Sequence, residues 1–355
     1  MPQGVRTKDD QTKKRQRSRC VVLLRPLALV LLLPLKWLFK VVNRRPRGML
    51  VRIPGVLAIY RSISLLFVSA RSEGGIPCAR VNGLKMYMDP DEEASHAGAF
   101  LWGEYEPATT AVVMAVLTDG DTFVDVGANW GYFTLLAATL CGERGRVFAF
   151  EPHPRNYDLL TKNIRANGLT NVGAVQKAVS NHTGTAKLLL ARSSANHSLC
   201  ILPPEWRLAG DSAAEAMAVD TVALDDFFAR SSVEPRLIKI DIEGAEPLAL
   251  AGMQRLIGRN PLLVLIAEFV SFFLNAKTGA DFLDQLTAYG FDVGIIDDAR
   301  RQLAVGLKAA MLKRLLEKET TYNLLATRDH SLFERLFQQW DGFAKHLGHL
   351  ERVRL

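Results

Sequence analysis

From Asp119 onward, short β-branched apolar runs alternate with segments whose apolar residues recur at helical spacing, and this alternation constrains the fold more than any other feature. Thr122–Val126 reads as a buried strand, Gly127–Gly131 as a turn and Tyr132–Leu140 as a helix. Arg146–Phe150 is a second strand ending in Glu151-Pro152, and Asn156–Asn167 is a helix stopped by Gly168. Val172–Ala178, Leu237–Ile240 and Leu262–Ala267 supply three more strands, the last two closing on Asp241 and Glu268. Ala245–Ile257 and Ala280–Tyr289 read as helices, and Phe291–Ile296 with Thr321–Ala326 as a final antiparallel pair. Strands that alternate with helices imply crossover connections. The expectation is an α/β fold with a mostly parallel seven-stranded sheet, helices on both faces and an N-terminal extension.

In an open α/β sheet, ligands bind beyond the carboxyl ends of the strands. The turn after the first strand therefore marks a nucleotide-type site. A dinucleotide fold asks for G-x-G-x-x-G, but the matching positions are Gly127, Asn129 and Tyr132, and no Gly-Lys-Ser/Thr follows to cradle phosphates. The loop is instead D-x-G-x-N-x-G, Asp125 to Gly131. It suits a ligand without phosphate, with the backbone of Gly127 near a methionine moiety and Asp125 facing its ammonium group. Glu151, at the end of the second strand, can accept hydrogen bonds from both hydroxyls of a ribose. Glu151 alone would also suit NAD; together with the loop it points to S-adenosylmethionine. The candidate cofactor residues are Asp125, Gly127, Asn129, Gly131, Glu151, Pro152 and Asp241.

Further stretches share one pattern with this loop. Gly103-Glu104-Tyr105-Glu106-Pro107, Val124–Thr134, Phe150-Glu151-Pro152, Asn163-x-x-x-Asn167, Leu224-Asp225-Asp226 and Ile238–Glu246 occur in that order. Over roughly residues 100–270 the chain resembles the FkbM family of methyltransferases, named for enzymes that methylate a hydroxyl of a macrolide. Trp130 stands where the family loop more commonly has isoleucine. The resemblance implies a Rossmann-like class I methyltransferase fold and O-methylation, with Tyr105 and Glu106 closing over the cofactor. It covers neither residues 1–70 nor the acceptor.

Asp241, Glu243 and Glu246 fall within six residues. Asp241 ends a buried strand, so it points into the same crevice as Asp125 and Glu151. Glu246 opens a helix, where an acid also serves as a cap. Carboxylates near a sulfonium hold it by Coulomb attraction. A hydroxyl must also lose its proton to attack, so Asp241 or Glu243 is expected as general base. No metal is expected; an oxygen-ligand site of Asp241, Glu243 and Glu268 is the alternative. His153 beside the ribose turn and His96 near the acceptor are weaker candidates than ordinary packing.

The net charge of +7 conceals an asymmetry. Residues 1–52 hold 14 Lys/Arg against Asp9 and Asp10, whereas the rest carries 30 basic and 35 acidic side chains. The acidic body argues against nucleic acid as partner, and no Asn-Pro-Pro-Tyr-type motif follows the fourth strand. The apolar stretch 20–42 is broken by Arg25, Pro26, Pro34, Lys36 and Lys40, short of the roughly 20 apolar residues that cross a bilayer. It reads as a membrane-surface segment; a spanning helix or a helix packed on the body are the alternatives. Four cysteines without paired spacing suggest reduced thiols, hence a cytoplasmic protein, peripheral at the inner face of a membrane. The expected organisation is an extension over 1–52, a helical and hairpin region over 53–118, a methyltransferase domain over 119–330, and an amphipathic C-terminal helix over 331–355. Leu303–Glu317 is a second basic amphipathic stretch. The acceptor is expected to be a small molecule, glycan or lipid-linked glycan bearing a hydroxyl. Protein or nucleic-acid methylation, and a non-catalytic binding module, are the competing functions.

Overall fold

The computed structural model describes residues 72–73, 76–89, 105–191, 196–199, 215–270, 276–305, 321–347 and 351–354. The extension with its 20–42 segment, the helix expected over 53–69, His96 and residues 306–317 lie outside them. The chain divides into two units, Met1–Val81 with Tyr87–Gly103, and Asn82–Met86 with Glu104–Leu355. In the first, β1 (Ser72–Glu73) pairs antiparallel with β2 (Ile76–Val81). Asn82 and Gly83, which belong to the second unit, have φ of 49° and 82°, the left-handed pair of a tight turn, and precede β3 (Leu84–Tyr87).

The second unit opens with α1 (Pro107–Val116), then β4 (Thr122–Val126), α2 (Tyr132–Cys141), β5 (Arg146–Phe150), α3 (Pro154–Ala166) and β6 (Val172–Val175). β7 (Ala178–Val179), β8 (Gly184–Leu189) and β9 (Ala216–Val222) come next, then α4 (Leu224–Phe227), β10 (Leu237–Ile240), α5 (Glu246–Ala251), α6 (Gln254–Arg259) and β11 (Val264–Val270). It closes with α7 (Ala276–Ala288), β12 (Asp292–Asp297), β13 (Gln302–Val305), β14 (Thr321–Thr327), α8 (His330–Leu347) and β15 (Glu351–Arg354).

The central sheet runs β15-β13-β12-β14-β11-β10-β4-β5-β6. Neighbours pair in parallel from β11 through β10, β4 and β5 to β6, whereas β14 is antiparallel to both β11 and β12. This is a mostly parallel, Rossmann-like α/β architecture. All seven expected strands are present. Two more extend the edge: β13, where an amphipathic stretch was expected to begin, and β15, where the C-terminal helix was expected to continue. The helix itself stops at Leu347. β4 and β10 are buried on both faces, the condition that makes their sequences almost continuously aliphatic. Val126, Phe150, Ile240 and Leu265 share one core with Leu250, Leu256 and Phe282 of the covering helices.

Two local departures have physical causes. The helix expected over Ala245–Ile257 is split into α5 and α6 around Gly252-Met253. Backbone from the β7 end packs against Gly252, where a Cβ would stand 2.1 Å from the Ser180 carbonyl oxygen. The Asp225 carboxylate then caps α6, accepting from the Arg255 and Leu256 amides at 2.9 and 2.8 Å. The segment expected as one strand to Ala178 is divided too. β7 leaves the main sheet to pair with β9, which pairs antiparallel with β8 in a separate small sheet.

Candidate active site

The carboxyl ends of the central strands place the acids in one row. Phe150 pairs in register with Val126, Val126 with Ile240, and Ile240 with Ala267. Glu151, Gly127, Asp241 and Glu268 each follow one of these by a single residue. An open cleft of about 510 Å³ lies beyond that row. Gly127, Asn129, Glu151, Pro152, Asp241 and Glu243 line it, with Phe150, Val179, Leu188, Leu199 and Ile242 as an apolar wall. Six of the candidate residues thus share one cavity. Three do not line it: Asp125, Gly131 and Glu106.

Gly127 has φ of +84°, and a Cβ there would come within 1.9 Å of the Asp241 carbonyl oxygen. The glycine lets the β4 loop press on the β10 turn, so its role extends to packing the two loops together. Gly131, at φ +95°, begins α2 and faces Leu160. Asn129 (φ 49°) donates its amide to Glu151 Oε2 at 2.9 Å, and His153 donates its amide to Glu151 Oε1 at 2.9 Å. Burial is the main cause that lifts Glu151 to about 7, against these donors, which lower it. Asn129 Oδ1 is buried without a hydrogen-bond partner at the cleft wall. His153 lies against the His197 ring, with centroids 4.4 Å apart.

Asp125 sits one layer below the cleft, 2% exposed, and accepts from Thr134 Oγ1 at 2.6 Å. Its cross-strand partner is Lys239, the one charged residue of β10, itself 2% exposed. Lys239 Nζ donates to Asp241 Oδ2 at 2.5 Å and lies 4.7 Å from the centroid of the Phe133 ring. Burial pulls its pKa down, but Asp241, Glu106 and Asp125 more than reverse this and hold it above the ordinary lysine value. Lys239 is therefore the ammonium these carboxylates share. Sequence reasoning assigned it no role, although a lone lysine in Leu-Ile-Lys-Ile is a readable signal, because a strand buried on both faces tolerates such a charge only when it is paired.

Glu106 has φ of 40° at the start of α1, and its Oε2 accepts from Asn323 Nδ2 at 3.3 Å. Burial raises it to about 8. Asp298, also missed, caps α1 by accepting from the Ala108 and Thr109 amides at 2.7 and 3.1 Å. Glu243 has φ of 53° and Gly244 of 93°, an unusual consecutive left-handed pair. Glu246 Oε1 stabilises this turn by accepting from the Ile242 and Gly244 amides at 3.0 and 3.3 Å. Ser198 Oγ donates to the Glu243 carbonyl at 2.7 Å. Burial, then the charge of Asp241, pushes Glu243 and Glu268 well above the usual carboxylate range.

The chain was compared with known proteins. Residues 125–293 match the family model of the methyltransferase FkbM domain. That segment is an FkbM methyltransferase domain. The cofactor of such a domain is S-adenosyl-L-methionine. The FkbM-domain chain is 30% identical over 137 residues to the hexuronic acid methyltransferase AglP of Haloferax volcanii, covering 38% of this chain and 51% of that protein. It thus spans about half the length of that relative. It is 25% identical over 190 residues to a probable cobalt-precorrin-6B C(15)-methyltransferase (decarboxylating) of Sulfurisphaera tokodaii, covering 50% of this chain and 96% of that one. Among solved structures, a precorrin-6y C5,15-methyltransferase of Geobacter metallireducens aligns over 64% of this chain and 89% of its own, at 13% identity and a TM-score of 0.36.

Proposed function

We propose that this S-adenosylmethionine-dependent methyltransferase methylates a hydroxyl of a sugar or glycan. The observation that carries this reading is the sharing of one cleft by Glu151, Asp241 and Glu243. The name of the Haloferax relative, a hexuronic acid methyltransferase, supports a sugar acceptor. The residues fit the cofactor. Glu151 retains acceptor capacity for a ribose diol beside its two amide bonds, the apolar wall suits an adenine ring, and the unpartnered Asn129 Oδ1 awaits a donor. When bound, the cofactor supplies an electrophilic methyl carbon on a cationic sulfur. Asp241, paired with Lys239, faces that positive charge. Glu243, which lines the same cleft, takes the proton that the acceptor hydroxyl loses as it attacks. Asp125 braces Lys239 from below, and Glu106 joins the same charge network.

The test is methyl transfer from labelled cofactor to a panel of hexuronic-acid and neutral-sugar glycans. Glu243→Gln is expected to lower kcat about 10²–10⁴-fold with cofactor affinity retained. Unchanged turnover, or labelling confined to protein or nucleic acid, would reject the reading. Among the described residues no helix is long and apolar enough to cross a membrane. A lipid-linked acceptor rests on residues 20–42 alone, and deleting 1–52 is expected to release the protein from liposomes containing anionic lipid in a flotation assay.

A further inference from the structure

Three acids at and beside the cleft bring their carboxylates together. Asp241, Glu243 and Glu268 each present a carboxylate oxygen, and these atoms all lie within 4.8 Å of one another. Oxygen ligands stand about 2.0–2.6 Å from a divalent cation, so two ligands of one ion are at most about 5 Å apart. The trio meets that limit. Its members come from the end of β10, the strained turn after it and β11, so the row of strand ends holds Asp241 and Glu268 side by side.

A second observation is independent of that spacing. Glu246 is 0% exposed, and while its Oε1 serves the turn, its Oε2 is buried without a hydrogen-bond partner. Its charge reaches Asp241, Glu243 and Glu268 alike. Glu268 meets Asp241 through its side chain, but its Oε2 is likewise buried without a partner, and Glu268 does not line the cleft where a cofactor would lie. Lys239 is already committed to Asp241. Carboxylates packed at this density hold either a proton or a cation, and an all-oxygen donor set selects a hard cation.

We propose that Asp241, Glu243 and Glu268 bind one divalent cation of the magnesium, manganese or calcium class, with Glu246 as the outer carboxylate that orients Glu243. The cation would stand beside the methyl-transfer cleft, where it can bind an acceptor hydroxyl and ease its deprotonation, with Glu243 then a ligand of the cation in place of the free base. The proposal goes beyond the methyltransferase reading but shares Asp241 and Glu243 with it, so cation and cofactor binding are measured separately. The full chain, stripped with chelator, is titrated with Mn²⁺ by water-proton relaxation, with Mg²⁺ and Ca²⁺ as competitors, and with S-adenosylmethionine by calorimetry. One saturable Mn²⁺ per chain is expected, displaced by Mg²⁺ or Ca²⁺. Glu268→Gln should weaken Mn²⁺ at least tenfold while cofactor affinity stays within twofold. Glu268→Asp, which keeps the charge on a shorter arm, should weaken it less. Absence of saturable Mn²⁺ in protein that binds cofactor, or equal Mn²⁺ affinity in folded Glu268→Gln, overturns the cation site alone. Saturable Mn²⁺ without cofactor binding supports the cation site and overturns the methyltransferase reading, and binding of neither overturns both.

Discussion

Lys239 shows how one residue sets the electrostatics of the site. Its ammonium pairs with Asp241, feels the charges of Glu106 and Asp125, and lies 4.7 Å from the centroid of the Phe133 ring. Replacing it with methionine keeps the aliphatic stem but leaves Asp241 and its neighbours without their shared cation. Breaking a buried ion pair from one side costs about 3–5 kcal/mol. Lys239→Met should lower stability in urea unfolding by that amount, and Lys239→Met with Asp241→Asn should recover part of it. Equal stability of Lys239→Met and wild type would show that the pair is worth nothing. Glu151 acts differently, because its value lies in the ligand. Removing a charged acceptor forfeits about 1.5–3 kcal/mol of hydrogen bonding. Calorimetry on Glu151→Ala should therefore show cofactor affinity lower by about 10–100-fold, and an unchanged affinity would remove Glu151 from the site. Both acids were legible in the sequence because each follows a buried strand. Lys239 was readable only as a buried charge in need of a partner; which acids supply it, and the cap that Asp298 brings from another loop, are long-range facts that spacing does not encode.

Among the elements, the strands and helices of the main sheet were readable because a two-sided sheet demands aliphatic runs and its crossovers demand amphipathic periodicity. The small β7-β9-β8 sheet escaped notice. Gly184–Leu189 and Ala216–Val222 mix exposed and buried positions, and β8 and β9 are partners far apart in sequence. That sheet nevertheless contributes Ala178, Val179 and Leu188 to the cleft. The break between α5 and α6 was also unreadable, because Gly252 is called for by the backbone of Ser180 rather than by its own neighbours. An added methyl there forces overpacking, which costs about 1–3 kcal/mol. Gly252→Ala should lose about that much stability in denaturant melts, whereas Gly258→Ala, with nothing within 4 Å of its Cβ, should lose none. Equal stability of the two variants would refute the close-approach explanation.

For the whole molecule, the acids make folding itself sensitive to pH. Burial raises Asp125 to about 6, Glu151 and Glu246 to about 7 and Glu106 to about 8. Each binds its proton more tightly folded than unfolded. Their contribution is complete below the ordinary carboxylate pKa and is lost as pH rises through the folded values. Asp329, lowered to about 2 chiefly by its hydrogen bond from Ser331, has the opposite sign but acts only in strong acid. The ligand-free protein should thus melt at a lower temperature at pH 8.5 than at pH 6. A cofactor or cation that needs the ionised forms should narrow the difference. A melting temperature that rises across this range would contradict the burial of these groups.

The register of β4 against β10 carries a further consequence. It sets Lys239 beside Asp125, on the face that leads up to Asp241. Slipping β10 by one residue would swing every side chain to the opposite face. Leucine and isoleucine are nearly interchangeable to such an error, but an ammonium driven into an aliphatic layer is not. The charged pair at the cleft therefore also proofreads strand pairing at the centre of the sheet, so that a misassembled chain forfeits its fold.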